Sequence, residues 1–301
     1  MKKIIKLLLT VGLMSSIFCS VSKADTQQLQ NRAQQGDSES QFELANIYSK
    51  GQGIKKDLQL ARFWFEKAAI QGVVKAQYNL GLMYERGAGG GKDIQKAQRW
   101  FEKAAEQGLA EAQLSLGMTY YWPEIGIPQD YLQARQWFEK AAEQGNALAQ
   151  FGLGMMYFEG EGVSKDYSQA QQWYRKAAEQ GLSLAQLNLG FMYYKGQGVS
   201  QDYLQAKQWI EKAALQEHAR AQSELGILYY KGHGVTQDYQ QAKQWFEKAI
   251  QKEHAESYTR LGTMYYKGHG VQQDRQQVSQ LFQKGCQAGD KLGCEMFNEL
   301  N

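Results

Sequence analysis

Apolar and polar positions along this chain follow a pattern that returns every 36 residues. A glycine or glutamate marks the start of each unit, and one interval of 37 residues is the exception to the period. The markers are Gly36, Gly72, Gly108, Gly145, Gly181, Glu217, Glu253 and Gly289. Self-similarity at such a period is typical of stacked helical repeats. The pattern therefore predicts seven full units over residues 36–288.

Within a unit, the apolar spacing predicts two helices. The first carries Ala-Gln-x-x-Leu-Gly-x-x-Tyr, as at 76–84 and 185–193, and these positions share one helical face. The central glycine, such as Gly81 or Gly190, lowers helix propensity by about 1 kcal/mol relative to alanine. Its recurrence predicts that another helix passes too close for a Cβ atom at this point.

A turn with paired glycines follows the first helix, as at Gly196 and Gly198, and suits a positive φ after a helix end. An aspartate in capping position then opens the second helix. The capping residues are Asp57, Asp93, Asp130, Asp166, Asp202, Asp238 and Asp274. Apolar residues recur in this helix at i, i+3, i+4, i+7 and i+8. We expect the i+3 tryptophans of six units to lie in the core. They are Trp64, Trp100, Trp137, Trp173, Trp209 and Trp245.

One pair of helices cannot bury such an apolar stripe, whereas stacked neighbours can, so the sequence predicts an all-α solenoid of antiparallel helix pairs. The repeat resembles the Sel1-like repeat family, a relative of the tetratricopeptide repeat, over residues 36–301. The resemblance implies a right-handed α/α superhelix whose concave face is lined by the first helices. It also implies an adaptor that assembles protein complexes.

The N-terminal segment has the pattern of an export signal. Lys2, Lys3 and Lys6 precede or flank an apolar stretch that runs to Phe18, and small residues at 22 and 24 suit cleavage after Ala24. An uncleaved anchor is the alternative. Cleavage would leave 30 basic and 31 acidic side chains, a net charge of −1. We expect a periplasmic or secreted protein without a later membrane span, and the charge does not favour nucleic acid as a partner.

Special features are predicted for both ends of the repeat array. Residues 25–35 resemble the end of a second helix with a polar outer face, and residues 289–301 resemble a truncated first helix, so each would cap the array. Cys286 and Cys294 remain after cleavage, and an even count in an exported protein favours a structural disulfide. Such a local bridge is worth on the order of 2–3 kcal/mol. The pair also resembles that of cysteine-rich bacterial family members, where a second helix is bridged to the next first helix.

The first helices carry an additional apolar stripe that faces the concave groove if the resemblance holds. Large exposed apolar patches mark interaction surfaces, so we expect these residues to bind a partner. The stripe comprises Leu114, Met118, Tyr121, Leu148, Phe151, Met155, Phe158, Leu184, Leu187, Phe191 and Tyr194. The alternative is that they complete the packing between repeats. Trp122 lies in an altered turn, where it is either a binding hot spot or a patch on its own repeat.

Catalytic, cofactor and metal sites are not predicted by this sequence. The glycine-rich segment 87–93 is one residue short of a phosphate-binding loop and has Asp93 where Ser or Thr is required. The histidines occupy two repeat positions, His218 with His254 and His233 with His269. Two ligands are too few for a zinc site, so we expect His233 and His269 to be solvated loop residues.

These observations favour an exported scaffold that binds a protein or peptide partner in its groove. Two alternatives remain at this stage. Some cysteine-rich members of the family that the chain resembles bind or slowly hydrolyse β-lactams, although this sequence has no nucleophile and base pair for such a reaction. An aromatic groove also suits a cell-wall component or a host-cell factor.

Overall fold

The computed structural model describes residues 23–123 and 127–300, with side chains from residue 26 onward. The predicted signal segment, residues 1–24, lies outside the described residues except for its last two positions. Sixteen α-helices and no strands occur in the described part, which confirms the all-α prediction. None of the described helices is long and apolar enough to span a membrane.

Within residues 23–123 and 127–300, the helices are joined by turns and loops alone. They are α1 (Lys23–Gln34), α2 (Ser38–Lys50), α3 (Leu58–Ile70), α4 (Val74–Arg86), α5 (Ile94–Glu106), α6 (Ala110–Tyr121), α7 (Tyr131–Glu143), α8 (Ala147–Glu159), α9 (Tyr167–Glu179), α10 (Ser183–Lys195), α11 (Tyr203–Leu215), α12 (Ala219–Lys231), α13 (Tyr239–Gln251), α14 (Ala255–Lys267), α15 (Arg275–Gln287) and α16 (Lys291–Leu300). From α2 onward, even numbers are the first helices of the repeats and odd numbers are the second helices.

Helix contacts divide the described chain into two compact units, named unit one and unit two, each of which is larger than a single repeat. Unit one runs to Leu153 and includes Glu161–Val163, whereas unit two comprises Gly154–Gly160 and the chain from Ser164. The division falls within α8, so this helix contributes its first half to unit one and its second half to unit two.

An aromatic ring of the second helix packs against the central glycine of the first helix within each unit. A Cβ on Gly117 in unit one would lie 2.5 Å from Cδ1 of Phe138, and a Cβ on Gly226 in unit two would lie 2.7 Å from Cε1 of Phe246. Both rings are almost completely buried. The predicted close approach of two helices at this glycine is therefore confirmed.

The tryptophans of the second helices are less buried than the sequence predicts. Trp209 is 8% exposed, whereas the other five are half-buried, and the neighbouring i+4 residue holds the centre of the core. A lysine one turn later places its amine over the indole, as Lys140 does at 4.1 Å from the Trp137 ring centre. Trp137 thus lies at the edge of the apolar stripe, where its ring packs inward and also binds a cation.

The predicted caps and turns are present. Asp57 accepts hydrogen bonds from the backbone N–H groups of Gln59 and Leu60, both at 2.9 Å, and the other six predicted aspartates cap in the same way. In the turn before α11, Gly198 has a φ of +71°, and a Cβ there would lie 2.3 Å from the carbonyl oxygen of Tyr167. The second glycine of this turn therefore lets the turn rest on the second helix of the preceding repeat.

Glutamines connect neighbouring repeats through their buried amides. In unit one, Gln77 donates to the carbonyl of Ala69 at 3.1 Å and accepts from Gln107 at 2.8 Å. In unit two, Gln186 donates to Ala178 and accepts from Gln216. These bonds form a ladder of uncharged hydrogen bonds along each unit. The recurring Ala-Gln pair was the signal for the ladder, although its spacing alone indicates only a shared helical face.

The ladder is interrupted within the sixth repeat. Lys252 occupies the position of the donor glutamine and pairs with Glu217 at 2.7 Å instead. The buried Oε1 of Gln222 consequently has no hydrogen-bond partner among the described residues. Glu217 and Glu253 also have positive φ angles of 60° and 58°, where the earlier repeats have glycine. Such angles strain a residue that has a side chain.

Histidines occupy the N-cap positions of the first helices of the sixth and seventh repeats, and the His218 side chain caps its helix. His218 Nδ1 accepts from the backbone N–H of Ala221 at 3.3 Å, and His254 Nδ1 lies 3.0 Å from Ser257 Oγ. Burial lowers the pKa of both histidines below the ordinary value of 6.5. Since a protonated ring nitrogen cannot accept a hydrogen bond, the cap of His218 requires the neutral ring.

The predicted disulfide joins Cys286 and Cys294, whose Cα atoms are 4.4 Å apart. The bridge connects α15, a second helix, to α16, the following first helix. At the other end, α1 packs on α2 through Leu29 and Ala33 and exposes most of its remaining described side chains.

Replacing Lys252 by Gln should stabilise unit two by about 1 kcal/mol, because the new amide can donate a hydrogen bond to the buried Oε1 of Gln222. The lost exposed ion pair contributes little. Urea unfolding followed by circular dichroism measures the change. The matched control is Lys252→Ala, which also removes the ion pair but supplies no donor. An equal rise in the free energy of unfolding for both variants would contradict a stabilising role for the glutamine ladder.

Acidification should destabilise the protein through His218 and His254. Because their folded-state pKa values lie below that of the unfolded chain, stability is fully present above about pH 6.5 and decreases as the pH falls. Replacing both by Asn, the residue that caps α8 at position 146, should make the loss between about pH 7.5 and 5.5 smaller. Urea midpoints at both pH values test this, and an equal loss in both proteins would refute it.

Candidate functional site

The predicted binding stripe is mostly buried in unit one. Leu114, Met118 and Tyr121 on α6 and Phe151 on α8 are each at most 6% exposed, and Leu148 is half-buried. The Tyr121 ring lies 5.3 Å from the ring of Tyr131 and 6.2 Å from that of Phe138. These side chains pack between helices, as the alternative interpretation of the stripe expects. Leu148 is therefore the stripe residue of unit one that a partner could contact most directly.

In unit two, the stripe is divided between buried and half-exposed residues. Met155, Leu184 and Leu187 are buried, whereas Phe158, Phe191 and Tyr194 are only half-buried. Phe158 packs against Tyr167, with ring centres 5.1 Å apart. The guanidinium of Arg220 lies 5.2 Å from the centre of the Phe191 ring. Phe191 therefore presents an aromatic surface with a cation beside it, although the sequence pattern had not indicated Arg220.

Histidines of the turns contact two tyrosines of the preceding repeat and are half-buried, so they are less solvated than the sequence predicts. The ring of His233 lies parallel to that of Tyr203, with centres 4.5 Å apart, and its Nδ1 is hydrogen bonded to the Tyr194 hydroxyl at 3.1 Å. His269 has the same arrangement with Tyr230 and Tyr239. Two tyrosines of the preceding repeat hold each histidine ring, one through its apolar face and the other through its hydroxyl.

In unit one, Glu161 occupies the turn position that His233 has in unit two. Its carboxylate accepts hydrogen bonds from the hydroxyls of Tyr121 and Tyr131. A side chain of one turn therefore contacts the preceding repeat in both units. The contact tolerates either a histidine or a carboxylate, because a tyrosine hydroxyl can donate to both.

Trp122 lies against its own repeat. Its ring meets that of Tyr121 edge-on, with centres 4.5 Å apart, and its backbone N–H ends α6 by donating to Met118. The residue as a whole is half-buried. These contacts are those that the packing alternative expects, and they leave only part of the indole for a partner.

A polar network replaces apolar packing between α12 and α14. Ser223 and Ser257 are fully buried, their hydroxyls are 2.6 Å apart, and the Arg260 guanidinium donates to Ser223. Arg260 also lies 3.6 Å from the carboxylate of Glu224, and burial raises the pKa of Glu224. Serine and threonine at otherwise apolar repeat positions were the available sequence signal for this network.

The contact between Ser257 and His254 does not form an accessible nucleophile. The Ser257 hydroxyl lies 3.0 Å from His254 Nδ1, within hydrogen-bond distance for a general base. However, Ser257 is completely buried, so no substrate can reach its oxygen. Its geometry instead fits a structural hydrogen bond between the N-cap residue and the first turn of α14.

A cavity of about 250 Å³ opens beside this network, between α12 and α14. Its residues combine apolar, aromatic and basic side chains. They are Ile227, Tyr230, Lys231, Phe246, Arg260, Thr263 and Lys267. The predicted stripe ends before these repeats, so the sequence pattern does not indicate the cavity.

Comparison with known proteins gives the family. The Sel1 repeat model matches residues 38–73, 74–109, 110–146, 147–182, 183–218, 219–254 and 255–290. The matched ranges begin two residues after the markers used above, at the start of each first helix. No curated protein sequence is significantly similar to this chain.

Two solved structures are similar in sequence and fold. A protective antigen present in uropathogenic Escherichia coli strains, which displays an SLR fold, is 35% identical with a TM-score of 0.84. The match covers 92% of this chain but only 59% of the antigen. A Sel1 repeat protein from Oxalobacter formigenes is 33% identical with a TM-score of 0.76, over 100% of this chain and 86% of that one. The seven matched repeats and this shared length place the chain in the Sel1 repeat family.

Proposed function

We propose that this Sel1 repeat scaffold is exported and binds a protein or peptide partner on the face formed by its first helices. Proteins with this repeat commonly mediate protein interactions. The observation that carries the proposal is the pair of half-buried, and hence still partly accessible, aromatic residues Phe158 and Phe191 on successive first helices of unit two. Aromatic side chains with a nearby cation are frequent anchors in protein interfaces.

Burial narrows the binding surface to part of the predicted stripe. A partner cannot contact side chains such as Phe151 or Leu187, which are 1% and 2% exposed, without opening the repeat. The accessible contacts in unit two are Phe158, Phe191, Tyr194 and Arg220. Because the Arg220 guanidinium lies over Phe191, a partner with an aromatic or acidic side chain would complement this surface.

Export is supported by two independent features. The disulfide between Cys286 and Cys294 would be unusual in a reducing cytosol. The sequence before Asp25 has the charge, apolar stretch and small residues of a secretory signal. Together they favour the periplasm or the exterior as the place where the partner is met.

Replacing Phe158 and Phe191 by Ala should reduce partner capture at least about tenfold, since truncating an interface anchor typically costs more than 1 kcal/mol. Capture from a periplasmic extract, with cross-linking and mass spectrometry, measures the effect. Phe151 is unsuitable because removal of a buried phenylalanine costs about 3–5 kcal/mol of stability. Circular dichroism establishes that the double variant remains folded.

The matched control is Phe63→Ala on α3, a second helix. Phe63 is 46% exposed, so its removal deletes a comparable aromatic surface away from the first helices. Its capture should equal that of the unmodified protein. Loss of the partner in the Phe63 variant, with full capture by the double variant, would assign binding to the second helices and refute the proposal.

A further inference from the structure

The cavity between α12 and α14 has an apolar floor and a basic rim. Phe246 is 2% exposed and forms part of the floor with half-buried Ile227. Lys231 and Lys267 are exposed at the rim, and half-buried Arg260 lies between these helices. The same cavity therefore offers an apolar wall and three cations to one ligand.

The two rim lysines have no ion-pair partner among the residues that the structure describes. Arg260 is only loosely paired, because the nearest carboxylate oxygens of Glu224 and Glu256 lie 3.6 and 3.7 Å from its nitrogens. Both separations exceed hydrogen-bond distance. The cavity thus retains positive charge that the neighbouring acids do not neutralise through close contacts.

Lysines in the last turn of a helix have an ordinary role, since they complement the helix dipole. Lys50 and Lys195 occupy the same repeat position as Lys231 and Lys267. In the last two repeats, a cavity lies beside these lysines. Thr263 occupies the position of Met155 and Phe191 in earlier repeats. Its smaller side chain leaves space against the floor.

Arg260 is a second departure from the repeat. The corresponding residues of the two preceding repeats are Asn188 and Glu224, neither of which is basic. Arg260 also donates to the buried hydroxyl of Ser223, which holds the guanidinium in place. A side chain held in this way loses little further freedom when it binds an anion.

We propose that this cavity binds an acidic segment of a peptide partner, with a carboxylate among Lys231, Lys267 and Arg260 and an adjacent aliphatic side chain against Ile227 and Phe246. The inference rests on the proposed function and adds the chemistry of the partner. The apolar floor favours a peptide over a nucleic acid or a lipid headgroup. A nucleic acid would require basic contacts along a longer path.

The test uses the full chain without its leader, with the disulfide intact, and a fluorescein-labelled synthetic peptide of alternating Glu and Leu. Fluorescence anisotropy measures its dissociation constant. A second peptide with Gln in place of Glu should bind at least about tenfold more weakly. Raising the salt concentration should weaken binding of the acidic peptide and leave binding of the Gln peptide nearly unchanged.

Replacing Lys231 and Lys267 by Gln should raise the dissociation constant of the acidic peptide at least about tenfold. The matched control is the double variant Lys50→Gln and Arg86→Gln, which removes two charges at the same repeat position in unit one. It should change the constant by less than about twofold. Circular dichroism of both variants verifies that the helices are retained.

Several results would overturn this inference. They are equal binding of the two peptides, equal weakening by both double variants, absence of binding up to about 1 mM peptide, or tighter binding of phosphatidylglycerol vesicles or oligothymidylate. Partner capture that depends on Phe158 and Phe191 would then stand without the cavity. Conversely, if the Phe158 and Phe191 double variant and the Phe63 control capture the partner equally well while the acidic peptide still binds, only the proposed first-helix surface is refuted.

Discussion

The close contact between the two helices of a repeat is the constraint on which the remaining packing depends. A ring from the second helix lies where a side chain of the first helix would otherwise be, as Phe246 does against Gly226. This contact brings the backbones together and leaves the alanines of the second helix for neighbouring repeats. Each repeat can then bury its remaining apolar stripe only against the next, so stability is shared between neighbours rather than held in one central core.

Much of the fold follows from local chemistry and could therefore be predicted. The helix pair, the aspartate caps and the glycine turns each depend on residues within one unit, which recur often enough to exclude coincidence. The depth of individual side chains was harder to predict. Trp137 and Phe138 are adjacent on one helix, and a modest rotation decides which of them reaches the centre and which remains at the edge.

The candidate site could be predicted only in part, because periodicity does not reveal how far neighbouring first helices overlap. Phe151 and Phe191 belong to one predicted stripe, yet the first is fully buried and the second only half-buried. The basic cavity depends on departures from the repeat, such as Thr263 and Arg260, that a search for regularity disregards. In a repeat protein, the shared pattern explains the regular positions, so features particular to one site depend on the irregular ones.

The location of the disulfide makes the two ends of the repeat array differ in how firmly they are held. Cys286 and Cys294 tie α16 to its neighbour, whereas α1 is held to α2 only by noncovalent contacts such as those of Leu29 and Ala33. Terminal elements are normally the first to fray. Among the described helices, proteolysis or mechanical pulling would accordingly begin at α1 and proceed from there, while the covalently closed end resists until its sulfur bridge is reduced.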